Sequence, residues 1–301
     1  MLEDLDSGAE IARSVERLLR AADAYERLPT PVNDIVAAAE LQEAEESWLS
    51  ESALAGVPDY LARKINRLKG RVHAALDRKT REIHISPEIE HDGQRRFKTL
   101  HEVGHHILDW QDEAGYADDQ HTLSWRTHVT FEREANQCGA ELLFKRERFQ
   151  SMADDYAAGF PAIIELAGHV GASIHASFRR YVETHRQPMA GLVLATKPCH
   201  ADPLGYKRRE AISSPSWSER YDAPTGWPPV LYAQPYSFVE DIGLSVGTPR
   251  PTMIYPDLNN EPTELRVELF SNSYYVFVLM WVPRRERFKR KRVIVAASLG
   301  K

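Results

Sequence analysis

The chain of 301 residues has only two cysteines, Cys138 and Cys199, so a framework of disulfide bonds is excluded. It has no long apolar run either. The longest, residues 274–282, is far shorter than the roughly 20 residues that cross a bilayer. The first six residues are acidic and lack the basic and apolar parts of a secretory signal. We therefore expect a cytoplasmic protein without a membrane segment.

A strong charge of one sign is absent too. The net charge of -6 gives no general attraction to nucleic acid or to an anionic membrane, so such a contact would need a local patch. Residues 284–292 form a basic run that we interpret as a solvated loop, with binding to nucleic acid or an acidic partner as the alternative. Hydrophobic residues at 43% and charged residues at 27% are typical of a globular protein.

The apolar pattern changes along the chain and predicts an α+β fold. Helical spacing dominates up to residue 188, apart from a hairpin predicted at 72–85, which implies a small β-sheet. Beyond it, strand-like runs at 265–270 and 274–282 predict a second hairpin. We expect a mostly helical domain at 1–150, a helical segment resembling a helix-turn-helix at 151–188, and a mixed α+β domain at 189–301.

A helix is predicted over residues 94–110, because apolar side chains recur there at intervals of three and four: Phe97, Leu100, Val103, Ile107 and Trp110. This helix carries the motif HExxH, with His101 and His105 one turn apart on one face. Both imidazoles can therefore reach one metal ion. Glu102 lies about 100° around the helix from His101, beside the metal position, where it can take a proton from a water molecule. The motif predicts a zinc-dependent peptidase with Glu102 as the base.

A catalytic zinc usually takes a third protein ligand. The extended motif HExxHxxGxxH is excluded, since Leu108 and Gln111 stand where it needs glycine and histidine. A glutamate on the next helix is the main alternative, and Glu132 opens such a helix. Ala135 and Gly139 share its face, and these small residues allow close approach to the motif helix. The sequence therefore predicts Glu132 as the third ligand.

Other polar residues near this helix have weaker roles. Glu134 is about 200° from Glu132 around the helix, so we expect it to form a salt bridge instead of binding metal. Asn136, one turn after Glu132, is a candidate for hydrogen bonding to a ligand. His121 and His128, in the predicted loop between the two helices, are rival ligands or transition-state donors.

The segments around HExxH and Glu132 resemble those of the ImmA/IrrE-type metallopeptidases. The matching segments are residues 96–105, which contain HEVGH, residues 132–136, which read EREAN, and residues 139–143. Similarity extends over about the first 185 residues. A basic segment at 144–146 departs from the family, where many members have Met-Pro.

The resemblance implies a zincin-like peptidase fold, with His101, His105 and Glu132 as zinc ligands and Glu102 as the base. Members of this family typically cleave a helix-turn-helix transcriptional repressor, in a response to stress or to mobile elements. Some have a C-terminal sensor-like domain, which is one interpretation of residues 189–301. Zinc is expected from the ligand types, with manganese as the alternative.

The competing hypothesis is a transcriptional regulator that has a metal site and binds DNA or another partner. Residues 166–173 have the small-residue turn of a helix-turn-helix, and Arg179 and Arg180 lie on the helix that follows. That helix has few other side chains that read bases, and it also has apolar residues to bury. We therefore favour a structural corner over a DNA-binding element.

Overall fold

The computed structural model describes residues 7–47, 49, 73–111, 125–201, 203–221, 226–243 and 250–283. Its helices are α1 (Gly8–Ala21), α2 (Val32–Ala38), α3 (Asp92–Ile107), α4 (Trp125–Phe144), α5 (Glu147–Asp154), α6 (Phe160–Val170), α7 (Ile174–Thr184) and α8 (Pro215–Arg220). Its strands are β1 (Gln42–Glu43), β2 (Ala74–Asp77), β3 (Glu82–Ile85), β4 (Met189–Ala195), β5 (His200–Ala201), β6 (Leu204–Ser213), β7 (Val230–Tyr232), β8 (Arg250–Pro256), β9 (Pro262–Ser271) and β10 (Tyr275–Trp281). The fold is α+β, as predicted.

The small sheet lies beside the motif helix. Within the described residues its order is β1-β3-β2, with β1 parallel and β2 antiparallel to β3. The predicted hairpin is therefore confirmed. Its turn is stabilised by Asp77, whose side chain accepts hydrogen bonds from the backbone of Lys79 and Thr80. Arg78 in this turn donates to the carbonyl oxygen of His105, which joins the hairpin to the end of α3.

The predicted motif helix is confirmed as α3, but it ends at Ile107 instead of Trp110. Its buried residues are Thr99, Leu100, His101, Glu102, Val103 and Gly104. The following helix, α4, begins at Trp125, seven residues before Glu132, which was predicted to open it. The interpretation of His128 as a loop residue was therefore wrong. Residues 125–131 include β-branched and aromatic side chains of modest helix propensity, so the local sequence gives no strong sign of a helix there.

The helical corner between α6 and α7 has both expected terminal signals. Gly171 has φ of 71°, a left-handed conformation that ends α6 without the strain that a Cβ would add. Ser173 caps α7 by accepting a hydrogen bond from the backbone of Ala176. Phe178 and Val182 of α7 are buried in the core. This agrees with a structural corner.

The second sheet runs in the order β5-β6-β4-β10-β9-β8 within the described part of the chain, with β7 also paired to β6. The predicted hairpin is β9 and β10, which pair antiparallel. Strand β10 is buried on both faces: Phe277 and Leu279 lie in the same core as the helices, while Val276 and Val278 lie in a second, aromatic-rich core. Burial on both faces explains why this segment is a continuous apolar run.

The domain boundaries at 150 and 188 stay predictions. The first hydrophobic core runs from Ile11 in α1 through Leu166 in α6 to Trp281 in β10, so helices and sheet share it. In the described residues there is no helix with the length and hydropathy needed to span a bilayer.

Candidate metal centre

His101 and His105 lie one helical turn apart on α3, and their rings meet edge to face at an interplanar angle of 87°. The ring centroids are 4.7 Å apart, and the two Nε2 atoms are 3.2 Å apart. His101 is buried, with 4% of its surface exposed, whereas His105 is partly exposed. The pair therefore forms the wall of a site that opens towards His105.

Glu132 approaches the two histidines from α4. Its Oε2 lies 3.4 Å from Nε2 of His101, and its Oε1 lies 3.4 Å from Nε2 of His105. The ligand atoms of these three side chains all lie within 4.8 Å of one another. The geometry thus brings together the two histidines and the glutamate that the sequence singled out.

Close packing of α3 and α4 makes this convergence possible. A Cβ added to Gly139 would lie 3.0 Å from the backbone nitrogen of His101, and one added to Gly104 would lie 3.0 Å from the carbonyl oxygen of Ala135. Both distances are shorter than ordinary van der Waals contact. The predicted role of small residues on α4 is confirmed, and α3 contributes a glycine of its own.

The three donors fit a zinc ion in number, type and spacing. A tetrahedral ion with bonds of about 2.0–2.1 Å places neighbouring ligand atoms roughly 3.3–3.4 Å apart. The two Nε2 atoms, 3.2 Å apart, are close to that spacing, and each lies 3.4 Å from a different oxygen of Glu132, so one ion could contact all three side chains. Two imidazoles and one carboxylate also leave a position for water or substrate, which is the usual composition of a catalytic zinc site.

The two carboxylates of the site have opposite electrostatic environments. Burial raises the pKa of Glu102, an effect that the nearby His101 and His105 partly offset. Hydrogen bonds from His101 and His105 hold the pKa of Glu132 far below its ordinary value. A carboxylate with a raised pKa is suited to proton transfer, and one with a lowered pKa stays charged and suits a ligand.

The pKa of His105 is also shifted from its ordinary value. Burial disfavours its charged form, but hydrogen bonds with Glu132 and Gln111 outweigh burial and raise its pKa. In the metal-free protein, the cluster therefore holds a proton more tightly than an isolated imidazole does. A metal ion has to displace this proton to bind.

Comparison with known families agrees with this geometry. Residues 62–176 match the model of a peptidase family described as the IrrE N-terminal-like domain. This segment is therefore similar to an IrrE N-terminal-like domain. The match spans the whole of α3 and α4, with all three convergent side chains. No curated protein matches the chain. Among solved structures, a Mycobacterium tuberculosis transcriptional regulator is similar at 11% identity over 91% of this chain and 76% of that chain, with a TM-score of 0.49.

The IrrE-like domain also contains a hydrogen-bonded group that sequence reasoning missed. Gln111 places its Oε1 2.8 Å from Nδ1 of His105, and its Nε2 donates to Oε2 of Glu134 at 2.9 Å. Glu134 is buried and accepts further hydrogen bonds from Trp110 and Ser7. Gln111, Trp110 and Ser7 are neutral donors, so the expected salt bridge of Glu134 stays a prediction. A signal was present: a glutamate two positions after the predicted ligand faces the opposite side of its helix, towards the core.

The weaker candidates stand apart from the three convergent side chains. Asn136 is exposed one turn after Glu132, and His128 is exposed near the start of α4. His121 lies outside the described residues. A hydrogen-bonding role for Asn136 and a transition-state role for His128 therefore stay predictions.

The arginines that a DNA-reading interpretation needs are paired within the fold. Arg180 is buried and bonds Glu141 through both terminal nitrogens, at 2.7 and 3.2 Å. Arg179 lies 3.3 Å from carboxylate oxygens of both Glu183 and Glu210. These ion pairs attach α7 to α4 and β6, which favours a structural role for the corner. The basic run at 284–292 lies outside the described residues.

Proposed function

We propose that this protein is a zinc-dependent endopeptidase whose metal is held by His101, His105 and Glu132 and whose general base is Glu102. The observation that carries the proposal is the convergence of two imidazoles and one carboxylate, whose ligand atoms all lie within 4.8 Å of one another, beside a buried glutamate with a raised pKa. The match of residues 62–176 to a peptidase family supports it. Manganese is the less suitable metal, because imidazole ligands suit zinc better.

The proposed reaction is hydrolysis of a peptide bond. A divalent ion bound by the three side chains would polarise the peptide carbonyl and lower the pKa of the attacking water. Glu102 accepts a proton as the water oxygen bonds to the carbonyl carbon. It then returns that proton to the amide nitrogen as the C–N bond breaks. The raised pKa of Glu102 makes its carboxylate a stronger base towards the attacking water, and the acid form still donates readily because the departing amine nitrogen is far more basic than a carboxylate.

The substrate that we propose is a helix-turn-helix transcriptional repressor in the cytoplasm, cleaved in response to stress or to a mobile element. The resemblance of the two motif segments to ImmA/IrrE-type peptidases supports this substrate. We further propose that residues 189–301 form a regulatory domain after a peptidase domain at 1–150 and a helical segment at 151–188.

The decisive experiment compares the wild type with Glu102→Gln. Both proteins are incubated with repressor proteins encoded near the gene, and the fragments are identified by mass spectrometry. The glutamine variant should bind zinc as the wild type does and should cut no substrate, because it keeps the ligands and lacks the base. Undiminished cleavage by this variant would refute the mechanism.

A parallel measurement tests the transcriptional-regulator alternative. If DNA binding were the primary activity, it would persist in Glu102→Gln and would weaken steeply with salt, as phosphate contacts do. Zinc content measured in His101→Ala, His105→Ala and Glu132→Ala tests the ligand assignment separately. Each of these variants should lose the metal.

A further inference from the structure

Gln111 bridges His105 and Glu134. Its amide has one acceptor and one donor side, and the structure places a partner at each: Nδ1 of His105 lies 2.8 Å from Oε1, while Oε2 of Glu134 lies 2.9 Å from Nε2. The amide nitrogen also donates to the carbonyl oxygen of Phe131 at 3.3 Å. Gln111 is itself buried, with 4% of its surface exposed.

The partners of Gln111 fix which way its amide points. A carboxylate and a backbone carbonyl can only accept hydrogen bonds, so the NH₂ group has to face Glu134 and Phe131. The reverse orientation would set the amide oxygen against two other acceptors. The oxygen of Gln111 therefore faces His105, and Nδ1 of His105 has to be the donor.

Glu134 is held in its turn by donors from two other elements. Trp110 donates from its indole nitrogen to Oε2 at 2.8 Å, and Ser7 donates from its hydroxyl to Oε1 at 2.5 Å. With Gln111, each carboxylate oxygen has at least one donor, and the group is buried to 4% exposure. This anchoring makes the orientation of Gln111 a property of the folded chain before any metal binds.

We propose that Gln111 and Glu134 are positioning residues that hold the neutral form of His105 as the Nδ1–H tautomer, so that the lone pair of its Nε2 points at the metal position. The claim that this lone pair serves a metal rests on the proposed function, whereas the tautomer itself does not. His105 is thus organised for binding in advance. His101 has no such support, since its buried Nδ1 has no hydrogen-bond partner among the described residues.

The tautomer can be measured without any metal. Long-range proton–nitrogen correlation spectra of the chelator-treated wild type, at a mildly alkaline pH, report which ring nitrogen of His105 carries the proton, with His105→Gln supplying the assignment. We expect Nδ1–H in the wild type. A His105 that carries its proton on Nε2 in the metal-free wild type would overturn the proposal. This test requires no substitution of Gln111 or Glu134.

Zinc affinity, measured by competition with a chromophoric chelator, provides the second test. Gln111→Met keeps a similar volume but removes the acceptor, and it should weaken zinc binding by about 10–100-fold, as loss of an outer partner of a metal-bound histidine does. Its metal-free spectrum should also lose the preference for Nδ1–H. Unchanged zinc affinity in Gln111→Met would overturn the proposal.

Two matched variants separate positioning from packing. Trp110→Phe removes another donor to Glu134 and leaves Gln111 in place, so its affinity should stay close to that of the wild type. Glu134→Leu removes the acceptor that orients the amide of Gln111, so its zinc affinity should fall by about as much as that of Gln111→Met. If Trp110→Phe lost as much affinity as Gln111→Met, packing would explain the effect and the proposal would fail.

The two claims fail in different ways. If no version of the protein bound zinc, the proposed peptidase function would be wrong, yet the metal-free spectra would still judge the tautomer. If zinc bound and peptides were cleaved equally well in Gln111→Met, the peptidase would stand and the positioning role would not.

Discussion

Replacing Gly139 with alanine should separate α3 from α4. The added Cβ would lie 3.0 Å from the backbone nitrogen of His101, 3.1 Å from its Cα and 3.2 Å from the carbonyl carbon of Leu100. All three atoms are backbone, so no flexible side chain can yield. Carbon contacts prefer about 3.5–4.0 Å, so the helices have to move apart by roughly 0.5 Å.

The matched control is Gly168→Ala, on the exposed face of α6, where an added Cβ meets nothing within 4 Å. Both changes gain the same helix propensity, about 1 kcal/mol relative to glycine. Only Gly139→Ala also bears an overpacking cost of about 1–3 kcal/mol. The free energy of unfolding should therefore be about 1–3 kcal/mol lower in Gly139→Ala than in Gly168→Ala.

Urea denaturation of both variants after removal of metal measures this difference directly. Zinc affinity should fall as well in Gly139→Ala, because the movement draws Glu132 away from the histidines, while Gly168→Ala should bind zinc as the wild type does. Equal stability and equal zinc affinity in the two variants would refute the claim that close helix packing builds the site.

Three other predictions use further contacts of the fold. Arg180→Ala removes the two-point partner of buried Glu141 and leaves it only Arg146 at 3.9 Å, so it should lower the free energy of unfolding by about 3–5 kcal/mol. Arg179→Ala, a half-exposed control, should cost less than about 1 kcal/mol in the same urea assay. Zinc affinity should fall as pH drops below the raised pKa of His105, since the proton competes with the metal; chelator competition at several pH values checks this. Burial lowers the pKa of Lys145 to about 8, so the unfolded chain binds more protons above that pH. Wild-type stability should therefore rise between about pH 8 and pH 10 relative to Lys145→Met, as followed by denaturation.

The contradicting outcomes are specific. Equal losses in the two arginine variants would show that the pair with Glu141 is not a buried interaction. A zinc affinity that stayed constant as the pH fell would remove His105 from the ligand set. Parallel pH curves for the wild type and Lys145→Met would show that the lysine titrates normally.

Much of the motif region could be predicted because its signals are local. Apolar residues at intervals of three and four predicted α3, and the face shared by Glu132, Ala135 and Gly139 predicted which side of α4 packs on it. The apolar strand at 274–282 was recognisable from composition alone. In each case the buried apolar residues recur at the spacing of the helix or strand that carries them, so the sequence alone shows the pattern.

Other parts depended on contacts between distant segments. Gln111 follows the end of α3, and only the turn after Ile107 brings its amide back to His105. Strand β6 was not predicted, because residues 207–210 are all charged and interrupt the alternation of apolar and polar residues that is typical of a strand. The start of α4 at Trp125 was missed because the aromatic and β-branched residues at 125–131 have only modest helix propensity.

The shared core of helices and sheet has a practical consequence for dissecting this protein. Phe277, Leu279 and Trp281 line the same apolar interior as Phe160 and Phe178, and they belong to the strand furthest along the chain in that core. A fragment that ends at residue 188 would expose to water the apolar helix faces that pack against β10, and it should precipitate. A soluble fragment that ends at residue 188 therefore requires polar replacements on the helix faces that pack against β10.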